Sequence, residues 1–114
     1  EPLLALDLAS QGIDAARWHR VPQAVRQGDT SVFAGWPLPA VVDALCKLCH
    51  DTMCVHAGAD ARYFDTKAVP RGASWPALRT WSMDLSRATE QASHPWHAVL
   101  AVDALVFRAS RVWG

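Results

Sequence analysis

No apolar run in this chain approaches the roughly 20 residues that a membrane-spanning helix requires, so no helical span is expected. There is no excess of positive charge either. Eleven Lys and Arg are matched by eleven Asp and Glu, a formal net charge of +0. A nucleic-acid binder usually carries a basic excess or a basic stripe, and direct DNA or RNA contact by this segment is not expected. The opening EPLLALDLASQG lacks the basic region and small-residue cleavage site of a signal peptide. Alternating runs of β-branched residues are missing, which argues against strands, and no repeat or low-complexity stretch is found. No phosphate-binding G-x-x-x-x-G-K-[ST] loop, H-E-x-x-H or G-x-S-x-G is present, so the chain is read as non-enzymatic.

What is present is helical. The 114 residues suffice for one domain with a modest core, and a 51% hydrophobic share argues against disorder. Helix punctuation is frequent. Pro2 to Gln11 reads as a first helix stopped by Gly12. Asp14 can cap a second, running to about Gln27 with Trp18, Val21 and Val25 on one face. Pro22 should kink or split it, because an interior proline costs about 3 kcal/mol. Gly28 ends it, and Asp29 can cap a short turn over Thr30 to Ala34. The third main helix starts near Pro39 and runs to about His56, with Val42, Leu45, Cys49 and Met53 as its apolar face and Gly58 as its stop. A loop from Ala59 to Ala73 follows, pinned by Tyr63, Phe64 and Val69. Ser74 caps the next helix, with Pro76 in its first turn and a stripe of Leu78, Trp81, Leu85, Ala88 and Ala92. The expected fold is all-α, a bundle of about five helices.

The last segment, His94 to Trp113, carries the most information. At a helical period Trp96, Val99, Leu100 and Phe107 line one side, while Ala98, Ala101, Val102, Leu105, Val106, Ala109 and Val112 cover most of the opposite one. A helix apolar on two faces is central in a bundle or wedged between two bodies. In so short a chain another subunit can supply the second cover, which points to an assembly module. The alternative is that both faces are buried within the domain. Val102, Leu105, Val106, Ala109 and Trp113 are the candidate subunit interface. Asp103 sits among Trp96, Val99, Leu100 and Phe107 as a candidate structural carboxylate. It either meets a basic or hydrogen-bonding partner such as Arg108 or Arg111, or reaches water at the edge of the face.

One motif could carry chemistry. Cys46-Lys47-Leu48-Cys49-His50 matches C-x-x-C-H, the covalent haem-attachment pattern. It falls in the middle of a helix whose apolar face it helps to form, where cysteines act as small core fillers. Cys46, His50 and Cys54 also follow an i, i+4, i+8 pattern. Eight residues of helix rise about 12 Å, too far for two short thiols to share one zinc held at about 2.0–2.3 Å. A redox role would need Cys46 near a helix N-terminus, and it lies about two turns inside. A small metal- or haem-binding protein using Cys46, Cys49 and His50 is the alternative reading; the main one has no metal and no cofactor. Three cysteines without an export signal fit reduced thiols in a cytoplasm. Acid pairs such as Asp60 and Asp65 lie in a loop and read as solvated.

Taken together, WPLPAVVDALCKLCHDTM, ARYFDTKAVPRGASWPALRTWSMDLSRA and HPWHAVLAVDALVFRA resemble the C-terminal domain of delta-prime subunits of the bacterial DNA polymerase III clamp loader. Order and joint spacing carry the likeness, which covers most of the chain from about Pro2. The resemblance implies a helical collar domain spanning residues 1–114, with ATPase-like modules upstream. The absence of an initial Met, in what reads as a helix already under way, fits such a parent. In that family collars pack side by side into a ring that helps load the sliding clamp on primed DNA. The implied partners are the collars of the ATPase and delta subunits. No catalytic residue is implied. The family often carries Asn in the opening turn of the last helix, where this chain has Trp96 and His97, so the geometry of that turn is left open.

Overall fold

A computed structural model describes residues 15–91 and 98–113. Among them the chain is all-helical, with four α-helices and no strand. The helices are α1 (Ala15–Gln27), α2 (Leu38–His56), α3 (Trp75–Gln91) and α4 (Ala98–Ser110), joined by short 3₁₀ turns at Ser31–Phe33 and Thr66–Ala68 and followed by a third at Arg111–Trp113. The expected first helix, Pro2 to Gln11, and the cap at Asp14 lie outside the described residues.

The helix ends follow from local chemistry. Gly28 closes α1 at φ +72°. Its N–H reaches the Val25 carbonyl, and the Asp29 N–H reaches back to Ala24 at 2.8 Å. That pair of bonds is the Schellman arrangement, which needs a left-handed residue. Gly58 (φ +89°) ends α2 in the same way, with Ala59 N–H on the Cys54 carbonyl. Ser74 caps α3, its hydroxyl accepting the Ala77 N–H at 3.2 Å. Asp29 accepts the Ser31 N–H at 2.9 Å and so starts the turn that follows α1.

Of the kink or split expected at Pro22, the split does not occur. α1 runs unbroken through Pro22. The proline ring is fully buried, so its apolar contacts offset the backbone hydrogen bond that proline cannot make.

α2 packs most extensively on α3, α1 packs on α4, and α4 also meets α2. The most enclosed helix is α2. Val41, Ala44, Leu45 and Leu48 are wholly inaccessible, Val42 and Cys49 nearly so, and Val55 is buried as well. Its apolar surface is therefore broader than the stripe Val42–Leu45–Cys49–Met53. Four members of the expected α3 stripe face inward: Leu78, Trp81 and Leu85 are buried and Ala88 is half-buried, while Ala92 lies outside the described residues. A second layer is aromatic. Trp18 stacks on Phe64 at 4.6 Å and donates its indole N–H to the Tyr63 carbonyl, while Phe33 meets Trp36 edge-on at 5.0 Å. Trp113 lies edge-on to Trp81 at 5.4 Å and donates to the Pro70 carbonyl. The described tryptophans divide accordingly: Trp18, Trp36 and Trp81 are core, Trp113 is half-buried, and Trp75 is 50% exposed beside His56.

Candidate interaction surface

Among the described residues the buried carboxylate is Asp51. It is fully inaccessible on α2, yet each of its oxygens is occupied. One accepts the Arg62 N–H at 3.0 Å, and the other accepts Tyr63 and Phe64 at 2.8 Å each. The His50 Nδ1 approaches at 3.2 Å. Three consecutive backbone amides converging on one carboxylate offset the cost of its burial. Asp51 thus fixes residues 62–64 of the loop between α2 and α3, and with them Phe64 against Trp18. Asp103, the expected structural carboxylate, is exposed on α4. Of its two readings the one that holds is the carboxylate reaching water: the helix turns this position outward, so no buried partner is needed. Asp60 and Asp65 are exposed, as expected, and Asp65 accepts the Lys67 N–H to start its turn.

The C-x-x-C-H residues do not form one site: Cys46 and Cys49 line the same shallow pocket against α3, but His50 is not among its lining residues. Cys46 is half-buried beside Thr89, its sulfur 3.9 Å from the hydroxyl. Cys49 lies in the core at 4% exposure. His50 turns the other way, edge-on to Tyr63 and 3.9 Å from the Cys54 sulfur. Burial pushes the Cys49 thiol up to about 12, with the neighbouring Cys46 adding to the effect. Burial also raises Cys46. Thiols held protonated in this way are poor nucleophiles and poor ligands. Among the described residues no three His, Cys, Asp or Glu side chains converge to hold a metal.

The proposed contact residues of the last helix separate into two groups. Leu105, Val106 and Ala109 lie at 8%, 0% and 0% exposure within the domain's own core, so the expectation that they form a subunit interface is corrected. The chain itself covers them, through α1 and α2. Val102 and Trp113 are half-buried at the margin. The surface that α4 leaves uncovered carries Asp103, Ala104, Phe107, Arg108 and, in the following turn, Arg111. Phe107 is the most exposed large apolar side chain of the described residues, at 61%. The Arg111 guanidinium lies over its ring, 5.6 Å from the centroid. Trp96, Val99 and Leu100, the rest of the expected Phe107 face, fall outside the residues whose side chains are described.

Beside this surface an open groove of about 300 Å³ runs between α3 and the end of α4. Ala77, Thr80, Trp81 and Asp84 form one wall, and Arg108, Arg111 and Val112 form the other. Sequence reasoning missed both Asp51 and this groove. A signal for Asp51 existed: Val41, Ala44, Leu48, Asp51 and Val55 share one helical stripe, with a carboxylate at a core position. No protein-family model, curated protein or solved structure matches this chain. No described helix is long and apolar enough to cross a membrane.

Proposed function

We propose that this chain is a non-catalytic assembly module, the collar-like helical domain of a delta-prime-type clamp-loader subunit. In this reading it packs against the helical domains of neighbouring subunits in the cytoplasm, and ATP hydrolysis and clamp opening belong to the rest of the complex. One observation carries the assembly role. α4 buries one side within its own domain and presents Phe107 to solvent on the other, held beneath Arg111. A solitary exposed aromatic is ordinary on a protein surface. This one lies beside two arginines and an open groove, within one of the three stretches that together carry the sequence resemblance. Near-zero net charge supports a protein rather than a nucleic acid as the partner.

The contact surface in this reading is the outer side of α4, comprising Asp103, Ala104, Phe107, Arg108 and Arg111. Co-purification with the collar region of the same organism's clamp-loader ATPase subunit tests it. The expected result is a stable complex with the wild-type chain that Phe107→Asp abolishes while the helical circular dichroism is unchanged. A folded wild-type chain that captures neither that subunit nor the delta subunit overturns the reading.

A further inference from the structure

We infer that the groove between α3 and α4 is a socket for an acidic side chain on a helix of the partner subunit; this rests on the assembly reading above. Arg108 and Arg111 are exposed and line the same wall. Among the described residues neither has a carboxylate within ion-pair distance, the two such contacts being Lys47 with Asp43 and His50 with Asp51. Asp84 stands on the opposite wall, so the groove carries two positive groups against one negative. Arg111 both lines the groove and holds its guanidinium over the adjacent Phe107 ring, 5.6 Å from the centroid. Trp81 also lines the groove, and its indole N–H, in a side chain only 2% exposed, has no acceptor among the described residues.

Two guanidiniums in one concavity match a carboxylate, which can accept from both at once. The groove is open rather than enclosing, which suits one or two side chains of a partner better than a cofactor, since small-molecule pockets bury most of their ligand's surface. The exposed Phe107 alongside asks for an apolar residue on the same partner helix. The recognition element is therefore an Asp or Glu flanked by apolar side chains at helical spacing. Asp84 would repel a partner that presented two adjacent acids, which adds selectivity.

The test is titration calorimetry of the full-length protein against the clamp-loader ATPase subunit, at low and high salt. The variants are Arg108→Glu, Arg111→Glu, Phe107→Asp and, on the far side of α3, Arg79→Glu. Each arginine reversal in the groove should weaken binding about 30-fold or more and flatten the salt dependence, whereas Arg79→Glu should match wild type. A partner Glu→Lys or Asp→Lys substitution should restore binding to Arg108→Glu. Groove reversals that bind like wild type, while Phe107→Asp does not bind, overturn the socket and leave the assembly reading standing. A wild-type chain that fails to bind overturns both. Self-association of the wild type that the same reversals abolish overturns the choice of partner in favour of a second copy of this chain.

Discussion

Asp51 accepts the backbone N–H of Phe64 at 2.8 Å from thirteen residues away, and through that bond a helix interior fixes the course of a loop. The same oxygen holds the Tyr63 amide, and the other holds Arg62. Phe64 is thereby set against Trp18, whose indole in turn binds the Tyr63 carbonyl. Replacing the carboxylate removes the acceptor from three donors at once. Asp51→Ala should destabilise the domain by about 3 kcal/mol or more, because buried donors are left unpaired. Asp51→Asn keeps the shape but turns an NH₂ group toward amide donors, and should cost about 2 kcal/mol. Urea denaturation followed by tryptophan fluorescence checks both; a loss below 1 kcal/mol for Asp51→Ala, about the net worth of one ordinary hydrogen bond, would refute the anchoring role.

The contrast between Asp51 and Asp103 shows what the sequence carries and what it does not. Helix ends at Gly28 and Gly58 and the cap at Ser74 were legible because their causes are local: a left-handed backbone, a hydroxyl before a helix. The α3 stripe of Leu78, Trp81 and Leu85 was legible because burial follows the helical period. The direction of Asp103 was not, since the burial of a polar position depends on what arrives from elsewhere in the fold. Asp51 stands on the buried stripe of α2, which the helical period could have shown, but no local pattern announces that residues 62–64 return to pair with it. The interface residues failed for a related reason. Periodicity identifies apolar faces, but it does not say whether a helix of the same chain or of another covers them.

Gly28 stands at φ +72°, and an added Cβ there would come no closer than 3.9 Å to Ser110. Space is therefore available and the conformation alone resists substitution. Gly28→Ala should cost about 1–2 kcal/mol, the penalty for an L-residue in the left-handed region. Gly28→Asn should cost less, because Asn tolerates that region. Thermal unfolding of the two variants separates backbone strain from steric clash: a clash would make Asn the worse of the two.

Cys49 gives the domain a pH dependence of definite sign. Its thiol rises from an ordinary 9.0 to about 12 in the folded chain because burial disfavours the thiolate. Between those values the unfolded chain releases the proton and the folded chain keeps it. Stability is thus fully retained below about pH 9 and falls as pH rises toward 12, by at most about 1.4 kcal/mol per unit. Cys49→Ala should lose about 1 kcal/mol near neutrality from the vacated volume and decline less steeply above pH 9. Denaturant titrations of both proteins across that range measure the difference, and parallel curves would contradict it. In native protein Cys49 should also resist thiol reagents that modify it once the chain unfolds.

Val106 and Phe107 are neighbours in sequence with opposite fates, at 0% and 61% exposure, and the pair separates folding from assembly. Glutamate at Val106 would place an unpaired carboxylate in the core between α4 and the helices that cover it. That should cost several kcal/mol, about the 3–5 kcal/mol of an uncompensated buried charge, and at least partly unfold a domain of this size. Aspartate at Phe107 stands in water and should shift stability by less than about 0.5 kcal/mol, apart from the lost Arg111 contact. Circular dichroism would then show Val106→Glu melting early or unfolded and Phe107→Asp native, while only Phe107→Asp reports on the partner surface. If Val106→Glu instead folds as well as wild type, α4 does not seat its inner side in the core, and the outward assignment of Phe107 fails with it. If both fold and only Val106→Glu loses the partner, the contact surface lies on Leu105, Val106 and Ala109 after all.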